Sequence, residues 1–486
     1  MIKIDNATFT YSGADVPSIK NINLEIKKGE FVLLLGSSGC GKTTVTRLIN
    51  GLISEYYEGE LEGEVIVDGK NTRETYVSEL SSSVGSVFQD PSSQFFTTDS
   101  TSELMFSCEN QAMPREEMLV RYEEIVRKFK LEKLIDRKVF RLSSGEKQLI
   151  AIGSVCAYSP TVLVFDEPSA NLDGKATARL YEALAQLKSE GYTIVVAEHK
   201  IHYIADLADR AIIFRSGEIH RELTGSELCS LSNEEANHLG LRGINLAEIK
   251  PKQRAKKYVK PSLEINDLEF YFSRKSNVIK NLSVKFHSGE VVALVGKNGR
   301  GKTTLMEIIC GLRKEKNGEF ILDRRKMKKK NRQESSYLVM QTSDYQLFSD
   351  SVESELYTGN EQIKSNSKCK EILERLHLDN LEKRHPFSLS GGQKQRLCIA
   401  VALLRDVSVV CLDEPTSGLD YNNMCVVSDC LRELASSERT VIVATHDYEF
   451  LIKSCDKIIH LTDSYEVEVI SVEDGTLKKI YSLLNE

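Results

Sequence analysis

The sequence predicts an α/β fold that occurs twice in tandem, in two domains of about 220–245 residues each. The first observation is a pair of loops, residues 36–44 and 296–304, that both match the pattern G-x-x-x-x-G-K-[ST]. The second is an apolar run, predicted to be a strand, before each loop: Phe31 to Leu35 and Val291 to Val295. The third is a helical pattern after each loop, with apolar residues at i, i+3, i+4 and i+7: Val45, Leu48, Ile49 and Leu52, then Leu305, Ile308, Ile309 and Leu312.

The two loops have the composition of phosphate-binding sites. Their glycines let backbone N–H groups close around phosphate oxygens, and the helix N-terminus that follows adds a favourable dipole. The loop lysine reaches the terminal phosphates, and the hydroxyl of the next threonine can ligate Mg²⁺. The predicted phosphate-binding residues are Gly36, Ser37, Ser38, Gly39, Cys40, Gly41, Lys42, Thr43 and Thr44, with Gly296, Lys297, Asn298, Gly299, Arg300, Gly301, Lys302, Thr303 and Thr304.

The similarity of the two halves extends beyond these loops. The loops lie 260 residues apart, Gln89 lies 252 residues before Gln341, and three further pairs are separated by 247 residues: Ser143 with Ser390, Asp166 with Asp413, and His199 with His446. A repeat of this length indicates one globular domain copied in tandem and not a solenoid. We therefore predict a first domain at 1–245, a linker at 246–261 and a second domain at 262–486.

Composition places the chain among ordinary globular proteins, with 41% hydrophobic and 28% charged residues. The net charge of −7 argues against a general nucleic-acid binder. No apolar stretch approaches the ~20 residues of a membrane span, and the N-terminus lacks the apolar core of a signal peptide. The 11 cysteines are scattered without metal-like spacing, which predicts reduced thiols in a cytosolic protein.

One segment departs from the acidic composition. Residues Ile249 to Pro261 carry six basic residues, two prolines and no acid. Two interpretations stay open. The segment is either a solvated linker between the domains or a weak contact with an anionic membrane surface.

Each half also contains an apolar strand that ends in two adjacent acids, Asp166 and Glu167 in the first half and Asp413 and Glu414 in the second. In open α/β sheets the ligand binds at the carboxyl ends of the strands, so these acids should lie beside the phosphates. We expect the aspartates to hold Mg²⁺ and the glutamates to orient and polarise the water that attacks the γ-phosphate.

A third motif occurs between the loop and the acidic strand of each half, at Leu142 to Gln148 and at Leu389 to Gln395. Its serine and glycines precede a helical stretch and could cap that helix or bind an anion there. This LSGGQ-type sequence, placed between a phosphate loop and a DEP strand, resembles the signature of ABC-type ATPases. The resemblance covers essentially both halves. It implies two P-loop NTPase domains, each with a RecA-like core and a helical subdomain that carries the signature.

In ABC-type ATPases two nucleotide-binding domains face head to tail, and each ATP lies between the phosphate loop of one domain and the signature of the other. The resemblance therefore implies two composite sites that bind ATP and Mg²⁺. The first would use loop 36–44, Gln89, Asp166, Glu167 and His199, closed by Ser390, Gly391, Gly392 and Gln393. The second would use loop 296–304, Gln341, Asp413, Glu414 and His446, closed by Ser143, Gly145 and Glu146. The implied catalytic residues are Glu167, Glu414, His199 and His446, and the implied Mg²⁺ ligands are Thr43, Gln89, Asp166, Thr303, Gln341 and Asp413.

The resemblance also assigns adenine stacking to Tyr11 in the first half. In the second half it assigns stacking to Phe272, with Tyr271 as an alternative. The segments 171–173 and 418–420 match the D-loop that couples the two sites in this family.

The first signature departs from the family pattern at two positions, Ser144 and Glu146. We expect the carboxylate of Glu146 to lie nearer the nucleotide and to alter turnover at the second site. Both halves keep the lysine, glutamate and histidine, which favours two competent sites. Cys40 in the first loop is either a filler residue or a thiol whose alkylation blocks nucleotide.

The segments after Gln89 and Gln341 repeat the pattern Q-x4-Q-[FL]-F, followed by the acidic stretches 101–104 and 352–356. They resemble the corresponding regions of energy-coupling-factor importer ATPases, which serve vitamin and transition-metal uptake. That resemblance implies a peripheral protein at the cytoplasmic face of the cell membrane, with a polytopic coupling subunit and a substrate-binding membrane subunit as partners and no nucleic acid. Two alternatives remain: the tandem ATPase of a monosaccharide importer, and a soluble ABC protein that acts on ribosomes or nucleic acid.

Overall fold

The fold was analysed in a computed structural model, which describes residues 1–251, 261–273, 276–358, 367–436, 438–462 and 464–485. The chain divides into two compact units, Met1–Asn245 and Leu246–Glu486. Most of the predicted basic linker lies outside the described residues. Leu246 and Ile249, which we predicted to belong to the linker, instead pack into the core of the second unit.

The first unit contains ten strands and nine α-helices, besides short 3-10 turns. The strands are β1 (Ile2–Tyr11), β2 (Ile19–Ile26), β3 (Phe31–Gly36), β4 (Gly59–Val67), β5 (Lys70–Asn71), β6 (Val84–Val87), β7 (Val162–Asp166), β8 (Thr193–Ala197), β9 (Arg210–Arg215) and β10 (Glu218–Thr224). The helices are α1 (Lys42–Ile49), α2 (Leu52–Glu55), α3 (Val77–Leu80), α4 (Ser100–Asn110), α5 (Arg115–Lys128), α6 (Ser144–Ala157), α7 (Gly174–Ser189), α8 (Gly225–Ser230) and α9 (Asn233–His238).

The second unit repeats the order of the strands over its described residues, with some differences in its helices. Its strands are β11 (Pro261–Ser273), β12 (Ser276–His287), β13 (Val291–Val295), β14 (Asn317–Leu322), β15 (Arg325–Lys326), β16 (Ser336–Val339), β17 (Val409–Asp413), β18 (Thr440–Ala444), β19 (Lys457–Leu461) and β20 (Val467–Ser471). Its helices are α10 (Lys302–Ile309), α11 (Lys329–Ser335), α12 (Val352–Tyr357), α13 (Ser367–Arg375), α14 (Gly391–Leu404), α15 (Tyr421–Ser436), α16 (Tyr448–Ser454) and α17 (Leu477–Asn485).

Each unit has a six-stranded sheet and a four-stranded antiparallel sheet. In the first unit the large sheet runs β10-β9-β3-β8-β7-β6, with β3, β6, β7, β8 and β9 parallel and β10 antiparallel at one edge. The second unit has the same arrangement, in the order β16-β17-β18-β13-β19-β20. The prediction of two tandem α/β domains is confirmed, and the large sheet of each unit is mainly parallel.

Strand β3 shows why the large sheet lies at the centre of the unit. Its side chains alternate between two cores: Phe31, Leu33 and Leu35 pack against the helices, and Val32 and Leu34 pack towards the small sheet and α1. A strand buried on both faces reads as a continuous apolar run, which is how it was recognised in the sequence.

The helix after each loop is shorter than predicted. Helix α1 ends at Ile49, because Gly51 adopts φ 75 and starts the separate helix α2. Helix α10 ends at Ile309, and Gly311 follows with φ 66. Leu312, predicted to continue the apolar face, lies outside the helix and is exposed.

Candidate active site

The carboxyl ends of four neighbouring parallel strands form one edge of the large sheet. In the first unit β3 leads into loop 36–44, β7 into Glu167, β8 into His199 and β6 into Gln89. The second unit places loop 296–304, Glu414, His446 and Gln341 after the corresponding strands. In each half the predicted phosphate loop, glutamate, histidine and glutamine are therefore carried by one sheet edge.

The first loop closes tightly against the end of β9. Gly36 has φ 139, and a Cβ there would lie 2.4 Å from the carbonyl oxygen of Phe214, so only glycine fits. The buried ammonium of Lys42 donates hydrogen bonds to the carbonyl oxygens of Gly36 at 2.9 Å and Ser37 at 3.1 Å. The lysine is thus held at the centre of its own loop, where phosphate oxygens would meet it.

The second loop holds its lysine in the same way and adds a contact. The ammonium of Lys302 donates to the carbonyl oxygen of Gly296 at 2.5 Å and lies 2.9 Å from Nε2 of His446. The two halves therefore share their fold at this point but differ in the histidine contact.

Each loop threonine meets the aspartate predicted to share Mg²⁺ with it. The hydroxyl of Thr43 donates to Asp166 at 3.1 Å, and that of Thr303 donates to Asp413 at 2.6 Å. Burial raises the pKa of Asp166 to about 6, and the Glu167 carboxylate adds to that rise. Burial likewise raises the pKa of Asp413. Hydroxyl and carboxylate oxygens are hard ligands that suit Mg²⁺, and a cation would offset the cost of the buried charge, so these residues fit the metal.

The predicted catalytic glutamate of the first unit contacts two other predicted residues. Nε2 of Gln89 donates to Oε2 of Glu167 at 2.8 Å, and Nε2 of His199 lies 3.2 Å from Oε1. In the second unit the imidazole of His446 is 3.8 Å from Glu414, and its backbone N–H donates to the same carboxylate at 3.4 Å. Each glutamate is close to its histidine, and the contact is tighter in the first unit.

The aromatic residues assigned to adenine lie at matching places in the two small sheets. Tyr11 packs edge-on against Phe9 with ring centroids 4.7 Å apart, and Phe272 packs edge-on against Phe270 at 5.2 Å. This match favours Phe272 over Tyr271 as the counterpart of Tyr11. The Tyr11 hydroxyl also accepts a hydrogen bond from Arg47 at 2.9 Å, a partner that the sequence did not suggest.

Both signatures begin their helices with a capping box. Ser143 accepts from the N–H of Glu146 and donates its own N–H to the Glu146 carboxylate at 2.8 Å. Ser390 and Gln393 form the same pair in the second unit. The Glu146 carboxylate also pairs with Arg137 at 3.0 Å, so its own helix cap and a neighbouring arginine hold it in place. That it lies nearer the nucleotide and alters turnover at the second site stays a prediction.

The glycines of the signatures are not equivalent. A Cβ on Gly145 would lie 2.4 Å from Cβ of Ala176 in α7, so this glycine lets two helices approach. A Cβ on Gly391 would meet nothing within 4 Å. This open space explains why Ser144 can occupy the matching position in the first unit.

The segment after Gln89 is held by side chains whose roles the sequence did not reveal. The side-chain amide of Gln94 accepts from the N–H of Phe88 and donates to the carbonyl oxygen of Ser86 at 2.9 Å. The buried Glu103 carboxylate accepts hydrogen bonds from the backbone N–H groups of Phe96 and Thr97. Gln346 and Glu355 make the matching contacts in the second unit.

We call Gln94 with Glu103, and Gln346 with Glu355, the clamps of the two units. The segment that each clamp holds carries one exposed phenylalanine. Phe96 is 76% exposed and Phe348 is 78% exposed. The Phe96 ring stacks on Phe106 at 5.0 Å beside a cavity of about 270 Å³. In the second unit the position matching Phe106 is Thr358, so the two exposed rings have different surroundings.

The signature helix is tied to the same segment in both units. Lys147 donates to the hydroxyl of Ser92 at 3.0 Å, and Lys394 donates to the carboxylate of Asp344 at 2.6 Å. A lysine after the signature motif is the sequence signal that could have indicated this link.

All eleven cysteines are free thiols. Within the described ranges we find no group of three or more potential metal-ligating histidine, cysteine or acidic side chains. Nor does any helix in the described part of the chain combine the length and apolar character needed to cross a bilayer.

A phosphate loop, a buried Mg²⁺-type aspartate and a glutamate at one sheet edge define a P-loop NTPase site. A sequence model of the ABC transporter family matches residues 19–170 and 279–417. The chain belongs to this family and consists of two tandem ABC ATPase domains.

The chain resembles several relatives along its whole length. It is 39% identical over 490 residues to a Treponema denticola protein with the provisional description ABC transporter ATP-binding protein, with 99% of this chain and 97% of the relative covered. It is 29% identical over 515 residues to a Bacillus subtilis protein provisionally described as the HMP/thiamine import ATP-binding protein YkoD, covering 99% and 94%.

Among solved structures, archaeal ABCE1 in a ribosome-bound complex with Pelota matches with a TM-score of 0.69 and 21% identity, covering 98% of this chain and 80% of that chain. The RNase-L inhibitor matches with a TM-score of 0.62 and 21% identity, covering 99% and 93%. At this identity the likeness concerns the fold alone.

Proposed function

We propose that this ABC ATPase is the ATP-hydrolysing subunit of a membrane importer of the energy-coupling-factor type, which takes up a vitamin, a vitamin precursor or a transition metal. Its partners would be a polytopic coupling subunit and a substrate-binding membrane subunit, with the ATPase peripheral at the cytoplasmic face. The observation that carries the proposal is the pair of clamped, exposed phenylalanines, Phe96 and Phe348. The similarity, over 99% of the chain, to a protein provisionally described as an HMP/thiamine import ATP-binding protein supports an importer of this type.

The chemistry rests on positioning and charge. The lysines would bind the terminal phosphates, and Thr43 with Asp166, or Thr303 with Asp413, would hold Mg²⁺, which neutralises phosphate charge when bound. Glu167 and Glu414 would orient the attacking water, with Gln89 and His199 fixing the carboxylate of Glu167. The phosphate loop of each half would be completed by the signature of the other half, within one chain or between two copies.

The transport step would follow from the association of each phosphate loop with the signature of the other half. ATP binding would draw the halves together and hydrolysis would let them part. A helix of the membrane subunit bound at Phe96 or Phe348 would be displaced by this movement. Lys147 and Lys394 link the segments after Gln89 and Gln341 to the signature helices and would transmit it.

The exposed rings provide the test. We expect Phe96→Ser with Phe348→Ser to lose co-purification with the polytopic membrane subunit, because the change removes the apolar contact and leaves the buried clamps intact. ATP hydrolysis by the purified chain should stay within about twofold of wild type, since surface changes have small effects on stability.

A matched control is Phe140→Ser, because Phe140 is also an exposed phenylalanine, at 75%. Retention of the membrane subunit by the double variant would contradict the assigned surface. Recovery of ribosomes or RNA with the wild-type chain, in place of a membrane protein, would favour the alternative class. A monosaccharide importer is disfavoured, because the second loop keeps Lys302 and Thr303.

A further inference from the structure

A buried acid lies between β8 and His199. Glu198 is 2% exposed, and its carboxylate accepts three hydrogen bonds. The backbone N–H of His199 donates at 2.8 Å, the hydroxyl of Tyr203 at 3.0 Å and the backbone N–H of Ser169 at 3.3 Å. A buried carboxylate is costly unless it is hydrogen-bonded, so this group is held for the contacts that it makes.

These contacts join the two chain segments of the first site. Ser169 lies two residues after Glu167, and His199 follows Glu198 directly. The carboxylate therefore fastens the segment that leaves Glu167 to the segment that carries the histidine. The N–H of Glu167 also donates to the carbonyl oxygen of Ala197 at 2.8 Å, so the two segments are joined both at Glu167 and at Ser169.

The second unit makes the same connection with different residues. Thr445 stands where Glu198 stands, and the acid is Asp447, after His446. The Asp447 carboxylate accepts from the hydroxyl of Thr416 at 3.0 Å, and Thr416 matches Ser169. The N–H of Asp447 donates to the hydroxyl of Thr445 at 3.1 Å.

The surrounding residues change together with the acid. Tyr203, whose hydroxyl donates to Glu198, is matched by Phe450 in the second unit, where no acid precedes the histidine. Lys200 occupies the position of Asp447. Each unit thus has a complete set: Glu198, Lys200 and Tyr203 in the first, and Thr445, Asp447 and Phe450 in the second.

We propose that Glu198 is a positioning residue for ATP hydrolysis at the first site, where it fixes His199 against Glu167, and that Asp447 has this task at the second site. The inference rests on the roles proposed for Glu167 and His199, and not on the importer assignment.

The test exchanges one set for the other and measures kcat and KM for ATP. Because the second site could mask the effect, all variants carry Glu414→Gln. Glu198→Thr should lower kcat by about 10–100-fold, since a small displacement of a catalytic group has effects of this size. Binding of a fluorescent ATP analogue should stay within about twofold, because the phosphate loop is untouched.

The rescue variant combines Glu198→Thr with Lys200→Asp and Tyr203→Phe, which installs the residues of the second unit. Its kcat should return to within about threefold of the parent. Glu198→Gln should lose less than Glu198→Thr, because its amide oxygen still accepts. A general loss of structure would lower analogue binding and the unfolding temperature together, and the triple change would not restore kcat.

A kcat for both Glu198→Thr and Glu198→Gln within twofold of the parent would overturn the inference, as would failure of the triple variant to restore kcat.

His199→Ala separates this result from failure of the proposed function. If His199→Ala is fully active, the role of the histidine is wrong; if it is inactive while Glu198→Thr is active, only the positioning inference fails. If Glu414→Gln alone abolishes turnover, the two sites are coupled, and the same variants are compared in the wild-type chain.

Discussion

At the scale of single residues, the two glutamates proposed to be catalytic occupy a strained backbone. Glu167 and Glu414 both have φ 47, a left-handed conformation that costs a non-glycine residue about 1–2 kcal/mol. Each is held there by a hydrogen bond from its N–H to the neighbouring strand, to Ala197 or Ala444. The strain recurs in both halves at the residue that would orient water, as expected of a functional position.

The adjacent Asp–Glu pairs were predictable because each follows an apolar run. Their proposed roles at the phosphates follow from their position at the carboxyl end of a strand. Glu198 was not predictable in this way. A glutamate at a strand end is usually exposed, and its burial depends on Tyr203 and Ser169, which the sequence does not place beside it. Glu103 is a similar case. The sequence shows it only as part of an acidic stretch, but its carboxylate is buried under the loop that it holds.

Cys40 allows a prediction about thiol reactivity. The residue is 2% exposed, and burial raises the pKa of its thiol although Lys42 lies nearby. Desolvation also raises the pKa of the Cys229 thiol, so the difference between the two thiols rests on access. Because Cys229 is exposed and Cys40 is buried, N-ethylmaleimide at pH 7 should modify Cys229 at least about tenfold faster than Cys40. Peptide mass spectrometry over a time course measures both rates, with Cys229→Ser as control. Equal rates would contradict the buried placement of Cys40.

At the scale of elements, the first signature helix depends on its cap. Burial alone would raise the pKa of Glu146, but hydrogen bonds from Ser143 and the charge of Arg137 outweigh it and lower the pKa. A lowered carboxyl pKa contributes stability above the unfolded pKa, and that contribution is lost as the pH falls through the folded pKa.

We therefore expect Glu146→Ala to reduce the free energy of unfolding by about 1 kcal/mol at pH 7, the usual effect of losing a cap. The difference from wild type should shrink as the pH falls from about 5 towards 3. Urea denaturation at several pH values measures it. Glu146→Gln is the control, because Gln393 forms the same capping box; it should lose less at pH 7. A difference for Glu146→Ala that does not change with pH would contradict the account.

The clamp after Gln89 is a second element whose strength can be tested. Glu103→Ala should reduce the free energy of unfolding by about 2 kcal/mol, because it removes the buried carboxylate that accepts from the part-buried N–H groups of Phe96 and Thr97. Glu355→Ala is the matched change in the second unit. Denaturation curves of both variants measure the effect, with exposed Glu116→Ala as control. A loss no larger than that of the control would contradict a structural clamp.

At the scale of the whole molecule, the repeat made most of the fold predictable. Two loops, two DE strands and two signatures at matched spacing indicated tandem α/β domains, because each motif needs a strand end or helix start to function. The helix ends were less predictable: Leu312 fits the periodicity, yet Gly311 ends the helical run before it. The differences between the halves, such as Glu198 against Asp447, can be seen in the sequence, but the contacts that give them meaning depend on packing and appear only in the structure.

If the phosphate loop of each half is completed by the signature of the other half, as we propose, ATP is retained only where both parts are intact. This central claim is tested by counting ATP retained through gel filtration by the Glu167→Gln, Glu414→Gln chain, which should bind two ATP and barely hydrolyse them. Adding Lys42→Ala and Ser390→Arg damages one composite site twice, so one ATP should remain. Adding Lys42→Ala and Ser143→Arg damages both composite sites, so none should remain. The reverse result, with ATP kept by the second combination and lost by the first, would mean that each half is self-contained and would contradict the account.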